Sequence, residues 1–203
     1  LSLLLSLSPP LPLSLPLLSF PLPPSFTQSD NPVEEVPWDT LLGLEQLKRL
    51  NLTACKLGAI GTGAMSLTLE NLYLASNLLT ELPELRFVVP NLRVLDLSSN
   101  LLLRISNNTI FAQMHQLAEL SMANCKMGSL PAGIIHADLR SLLTIDFSDN
   151  DLSEISSAVL GGVIPNLNFL FVGQSSQPAI SEVDLNLLPA LEGLVTSILS
   201  LVY

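Results

Sequence analysis

The sequence predicts an α/β repeat solenoid, in which short parallel strands from successive units stack side by side. Three observations predict it. Frames of eleven residues recur with steps of 22, 23, 25, 25 and 25 residues, starting at Leu47, Leu69, Leu92, Leu117, Leu142 and Leu167. Places 4 and 6 are apolar in every frame, and so is place 14, which lies beyond the eleven-residue motif. The register therefore holds through each whole unit.

The clearest copy of the unit lies at 92–102. Leucines fill places 1, 4, 6 and 11 of this copy, and Asn100 fills place 9. This spacing resembles the leucine-rich repeat, whose pattern runs L-x-x-L-x-L-x-x-N-x-L. The resemblance implies an arc of repeats with a parallel β-sheet on the concave side and a protein-binding role.

Each unit is expected to contribute one short strand. The alternation of apolar and other residues around places 3 to 7 has the period of a strand with one buried face. Because a lone strand can neither satisfy its backbone nor bury its apolar side, successive units must pair in parallel around a shared core. Leu82-Pro83, Leu130-Pro131 and Phe111 match the most common animal type of this repeat family. Proline there favours an extended return segment, so we expect an irregular convex side.

Place 9 is where the repeat family turns a side chain inward to hydrogen-bond the loop that leaves the strand. The predicted ladder consists of Cys55, Asn77, Asn100, Cys125 and Asn150. The two cysteines are three strands apart, or about 14 Å at ~4.8 Å per strand, whereas a disulfide needs Cα atoms within ~7 Å. We therefore expect two free, buried thiols and no disulfide between Cys55 and Cys125.

The repeats are expected to span 47–190, with a truncated seventh repeat at 191–203 in which Thr196 interrupts place 6. Residues 1–29 are uncharged and rich in Leu, Ser and Pro, which predicts disorder or the remnant of a signal leader. Residues 30–46 form a lead-in or cap segment, where Trp38 lies either over the end of the core or in a surface loop. The prolines near the start and the short uncharged end exclude a membrane span. The lack of an initiating Met leads us to expect part of a longer protein.

Charge and motif content argue against several function classes. Eighteen acids against eight bases give a formal net charge of −10, whereas nucleic-acid binding requires clustered Lys and Arg. The acids of 146–154 lack the glycine of a calcium loop, which favours a solvated turn over a metal site. His115 and His136 fall in different units and assemble no catalytic group, and His136 is expected to be a partly buried structural residue. We expect a non-enzyme without cofactor or metal.

Two N-x-[ST] sequons begin at Asn51 and Asn107 and would accept glycans in a secreted protein. The predicted function is an interaction scaffold that resembles the extracellular repeat arrays of receptors and adhesion proteins, placed outside the cell or on its surface. The alternative is an intracellular, cytoplasmic adaptor or structural protein, which the unpaired cysteines favour. The identity of the partner and the oligomeric state do not follow from the sequence.

The predicted binding surface is the concave sheet face, where strand alternation exposes places 3, 5 and 7. Small residues at place 7 leave room for a ligand, and aromatic anchors flank acids that would select a protein ligand with a basic surface. The alternative is an ordinary solvated sheet face. The predicted binding residues are Tyr73, Asp96, Ser121, Asp146 and Phe171 at place 5, with Glu119 and Phe169 at place 3.

Overall fold

Short parallel strands dominate the computed structural model of the 203-residue chain, which describes residues 25–27, 30, 46–59, 68–81, 90–102, 105, 111, 114–152, 154–155, 157–173, 179–180 and 185–195. The larger sheet consists of β1 (Ser25–Thr27), β2 (Arg49–Asn51), β3 (Asn71–Tyr73), β4 (Val94–Asp96), β5 (Glu119–Ser121), β6 (Thr144–Asp146), β8 (Phe169–Phe171) and β10 (Gly193–Val195). A smaller sheet pairs β7 (Glu154–Ile155) with β9 (Ala179–Ile180).

Strands of the larger sheet follow one another in chain order, and every pairing joins equivalent places of neighbouring repeats. Leu72 at place 4, for example, pairs with Leu50 on one side and Leu95 on the other. The same parallel register continues through β5, β6 and β8. The predicted solenoid with a parallel sheet is therefore confirmed.

Apolar places of the repeats form one continuous core. Places 1, 4 and 6 are buried in all six predicted frames, and place 11 is buried in the first five. Place 6 tolerates side chains as different as Leu52, Met122 and Phe147, all at most 2% exposed. Because each side chain packs against its counterparts in the units above and below, burial depends on stacking rather than on any single repeat.

A recurrent turn follows the strands at place 8. Five non-glycine residues there have positive φ angles between 52° and 57°, namely Ala54, Ser76, Ser99, Asn124 and Asp149. Each of these residues donates its backbone N–H to the place 7 carbonyl of the next repeat, at 2.6 to 2.9 Å. The left-handed conformation therefore brings the loop into contact with its neighbour and extends backbone pairing beyond the three-residue strands.

The first strand lies in segment 1–29, for which the sequence predicts disorder or the remnant of a leader. Ser25–Thr27 pairs in parallel with β2, and Asp30 has a φ of 63° and donates its N–H to the Thr53 carbonyl at 3.0 Å. These are the pairing and turn of a further unit whose place 1 would be Pro23. The structure therefore extends the sheet by one strand before the first predicted repeat. Residues 1–24 and most of the predicted cap, including Trp38, lie outside the described residues.

The opposite end of the sheet carries the predicted seventh unit as far as place 5. Gly193–Val195 pairs with Phe169–Phe171 in the same parallel register as every other repeat. Thr196, at the interrupted place 6, lies outside the described residues.

The convex side is irregular in the part of the chain that the structure describes. β7 and β9 pair place 14 of one unit with place 14 of the next, through Ile155 and Ile180. Two 3-10 turns cover Ser157–Val159 and Leu185–Leu187. Phe111 at place 20 is fully buried and fills the core from this side.

Buried asparagines at place 9 connect consecutive repeats. The Asn100 side-chain amide donates to the carbonyl of Leu97 in its own repeat at 2.8 Å and to that of Leu74 in the preceding repeat at 3.0 Å. Its Oδ1 accepts the Leu79 N–H at 3.1 Å. Asn77 and Asn150 make equivalent bonds, and the three residues are between 1% and 4% exposed.

The two cysteines occupy the same inward place, and neither forms a disulfide, as predicted. The Cys125 thiol donates to the Leu97 carbonyl at 3.3 Å, the place 6 carbonyl of the preceding repeat that an asparagine amide would serve. A thiol is a poor acceptor, so it replaces the donor function of the amide better than its acceptor function. Burial raises the pKa of Cys125 to about 11, the backbone amides of Asn100 and Ser99 act in the opposite direction, and the Asp96 carboxylate adds to the rise.

Replacing Asn100 with alanine should lower the free energy of unfolding by about 1 to 3 kcal/mol, because buried backbone groups in two repeats lose their partner. Urea unfolding followed by circular dichroism measures the change. Asn71→Ala, on the exposed sheet face, is the matched control and should stay within about 0.5 kcal/mol of the parent. Equal stability of the two variants would contradict the ladder role of Asn100.

The raised pKa of Cys125 predicts a thiol that stays protonated and unreactive in the folded protein at pH 8. Folding then favours the protonated form, so the stability linked to this thiol is fully present below pH 9 and is lost as pH rises towards about 11. Iodoacetamide should label Cys125 at pH 8 only after denaturation, and Cys125→Ala should lose less stability than the parent between pH 9 and 11. Rapid labelling of Cys125 in the folded protein would contradict this prediction.

Candidate functional site on the concave sheet face

Five neighbouring side chains at place 5, from β3 to β8, form a line across the middle of the concave face. Pairing in register puts Tyr73 beside Asp96, Asp96 beside Ser121, Ser121 beside Asp146, and Asp146 beside Phe171. Neighbours along this line are about 4.8 Å apart, the spacing of paired strands. The order is therefore aromatic, acid, small, acid, aromatic, and all five residues are partly exposed.

The two aspartates of this line are held in the same way. Oδ1 of Asp96 accepts the Ser98 N–H at 3.0 Å and the Ser98 hydroxyl at 2.6 Å. Asp146 makes the equivalent bonds with Ser148 at 2.9 and 2.6 Å. Because each carboxylate uses Oδ1 to orient itself, its direction is set before a ligand arrives and Oδ2 can accept from a basic group.

Glu119 completes an acidic group around Ser121. It lies at place 3 of β5, one strand from β4 and one from β6, and its side chain is exposed. Place 7 beside Ser121 holds Ala123, whose side chain is short. At the centre of the concave face, the short side chains of Ser121 and Ala123 are therefore surrounded by carboxylates on three sides.

An aromatic pair occupies one end of the face. The rings of Phe169 and Phe171 are stacked, with centroids 6.3 Å apart and planes inclined by 21°. Phe169 is 38% exposed. A Cβ atom at Gly193 would lie 2.9 Å from Phe169 Cδ1, so the absence of a side chain in the next strand lets this ring lie flat across it.

Basic side chains lie near the other end of the sheet. Lys48 forms a salt bridge with Glu70 at 2.8 Å, from place 2 of one repeat to place 2 of the next. The hydrogen bond from Lys48 lowers the pKa of Glu70. Arg49 at place 3 of β2 is exposed. The acidic character of the concave face therefore belongs to the middle strands rather than to the whole sheet.

Comparisons with known proteins agree with this geometry. A sequence model of the family described as leucine rich repeat matches residues 68–127. A solved leucine-rich repeat protein of Leptospira interrogans matches 84% of the chain with a TM-score of 0.56 and 18% sequence identity. The chain has the leucine-rich repeat fold, and residues 68–127 also match the family in sequence. It spans 47% of the Leptospira protein, and the likeness between the two shows the fold alone.

No curated protein matches the chain. Leucine-rich repeats serve generally as protein-interaction scaffolds, and the match over residues 68–127 supports a role of this general kind. The exposed side chains of each array determine which partner it binds, because function depends on the site rather than on the fold.

Side chains that could act in catalysis or bind a metal are dispersed over the described repeats. His136 is partly buried and pairs with Asp138 at 3.1 Å, whereas His115 is exposed in a different repeat. No group of three or more His, Cys, Asp or Glu side chains suited to a metal occurs among the described residues. Within the same residues, no helix is long and apolar enough to cross a membrane.

The glycosylation candidates differ in what the structure describes. Asn51 lies at place 5 of β2, where its Oδ1 accepts the Thr53 N–H at 2.9 Å. A glycan there would stand on the concave face. Asn107 lies outside the described residues.

Two features of the site were missed by sequence reasoning. The Asp-x-Ser spacing at places 5 and 7 is visible in two repeats and is a signal for a side chain that bonds to backbone two residues on. The role of Gly193 had no such signal, because it depends on the position of a ring in the neighbouring repeat.

Proposed function

We propose that this leucine-rich repeat protein is a non-enzymatic scaffold that binds a protein ligand through the concave sheet face. The observation that carries the proposal is the place 5 line, in which two pre-oriented carboxylates flank Ser121 and aromatic rings lie beyond them. Partly exposed rings supply apolar contact, and oriented acids favour one sign of charge.

A ligand of matching chemistry carries a basic side chain over Ser121 and apolar groups towards Tyr73 and Phe171. The carboxylates of Asp96 and Asp146 lie one strand to either side of Ser121, or about 4.8 Å each way. A guanidinium or ammonium group placed between them therefore contacts both acids. Specificity for such a ligand follows because an acidic or uncharged group would leave the oriented carboxylates without a partner.

Replacing Asp96 and Asp146 tests whether the ligand binds the concave face. Asp96→Arg combined with Asp146→Arg should abolish binding of basic and aromatic peptides selected on the parent protein by display. The thermal transition should shift by only a few degrees, because both residues are on the surface. Asp96→Asn with Asp146→Asn keeps an oxygen for Ser98 and Ser148 and removes only the charge, and it should weaken binding at least tenfold.

The matched control is Glu81→Arg with Asp151→Arg, which changes net charge equally at exposed positions off the concave face. It should bind the selected peptides like the parent. If the Asp96 and Asp146 variants bound the peptides as tightly as the parent does, the ligand site would lie on the loops instead of the concave face.

We also propose a receptor-like or adhesion-like setting outside the cell or on its surface, which the two sequons and the animal-type repeats support. The alternative hypothesis is an intracellular adaptor, supported by two buried cysteines that form no disulfide and by the rarity of disulfides in the cytosol.

Glycan mapping separates the two settings. The chain expressed from its full gene in animal cells should carry sugar at Asn107, and Thr109→Ala should remove it by destroying the sequon. An unmodified Asn107 in protein recovered from its native compartment would favour the intracellular adaptor.

A further inference from the structure

An exposed row of four side chains lies at place 10 of consecutive repeats, outside the concave face. The edge row consists of Lys56, Leu78, Leu101 and Lys126. Its leucines are 52% and 45% exposed, whereas the residues before and after them in the chain, at places 9 and 11, are buried. Two adjacent large apolar side chains therefore face solvent between two lysines.

The backbone beneath the edge row is firmly held. Leu78 donates its N–H to the Leu57 carbonyl, and Leu101 donates to the Leu79 carbonyl, both at 2.8 Å. Each of these bonds joins place 10 of one repeat to place 11 of the preceding repeat. The two leucines are therefore neighbours in adjacent repeats. Burying these leucines by rearranging the described repeats would require the ladder and core on either side to break, so within those repeats they stay exposed.

The two lysines share a backbone conformation and are available for a ligand. Their φ angles are 60° and 58°, and each follows a cysteine of the ladder. Neither lysine forms a salt bridge with any of the described residues. Three repeat steps separate them, or about 14 Å at ~4.8 Å per step.

We propose that the edge row binds an extended segment of a partner protein with the pattern acid, any residue, apolar residue, any residue, acid. In an extended segment, residues i, i+2 and i+4 share one face, and i to i+4 spans about 13 Å. This distance matches the separation of Lys56 and Lys126. The central apolar side chain then rests on Leu78 and Leu101 while each acid meets one lysine.

Charge limits the segment at one end. Place 10 of the next repeat is Asp151, which is exposed and continues the row beyond Lys126. A further acid in the ligand would be repelled there, so the two lysines define the length of the acidic motif. The acids of the concave face lie at places 3 and 5, on the strands of the sheet rather than in the edge row.

Fluorescence anisotropy with a labelled peptide, Gly-Ser-Glu-Thr-Leu-Thr-Glu-Ser-Gly, tests the proposal on the full chain. Binding should weaken at least tenfold when both glutamates become glutamine, and equally when the leucine becomes serine. Lys56→Glu with Lys126→Glu should abolish binding, and Leu78→Ser with Leu101→Ser should weaken it at least tenfold. Circular dichroism and urea midpoints near those of the parent establish that the variants are folded.

Lys48→Glu with Arg140→Glu is the matched control, because it changes net charge by the same amount at exposed positions outside the row. This control should bind the peptide within twofold of the parent, as should Asp96→Asn with Asp146→Asn, which separates the edge row from the concave site. Equal binding by the lysine variant and its control would overturn the proposal. Absence of peptide binding at millimolar protein would also overturn it, and sedimentation with phosphatidylserine vesicles in that case would reassign the row to a membrane surface.

Discussion

The buried amide at place 9 is the interaction on which the rest of this array depends. Strands of three residues provide few backbone hydrogen bonds, and the loops that leave them would otherwise bury unsatisfied carbonyl and N–H groups. An asparagine such as Asn100 bonds to both its own repeat and the preceding one. It therefore joins the units and holds each loop at a constant distance from its neighbour.

Regular stacking of the loops determines where every outward side chain lies. The left-handed turn at place 8 recurs from Asp30 to Asp149, and each turn bonds to the next repeat. Because these bonds use backbone atoms, the side chains at places 3, 5, 7 and 10 can vary without altering the scaffold. This separation explains how a uniform core can carry surfaces of different chemistry.

The two candidate interaction surfaces differ in charge and construction. The concave face carries oriented carboxylates between aromatic rings, whereas the edge row carries leucines between lysines. Their separation allows one partner to use both surfaces or two partners to use one each. A net charge of −10 makes the pair of lysines at the edge row a local exception to the charge of the chain.

The sequence by itself determined the repeat, the inward places and the line of residues across the concave face, because a period of two in each strand and a period of 22 to 25 along the chain are written directly in residue order. It did not reveal β1, because Pro23 and Gln28 interrupt the apolar places of that unit. Backbone pairing does not require those side chains, so the strand forms nonetheless. The Asp-x-Ser spacing is a local signal for the bonds of Asp96 and Asp146, and the structure fixed the rotamers in which Oδ1 of each accepts from the serine two residues on. Only the tertiary structure decided the packing of Phe169 against Gly193, because this contact joins two repeats and exists only after the units have stacked.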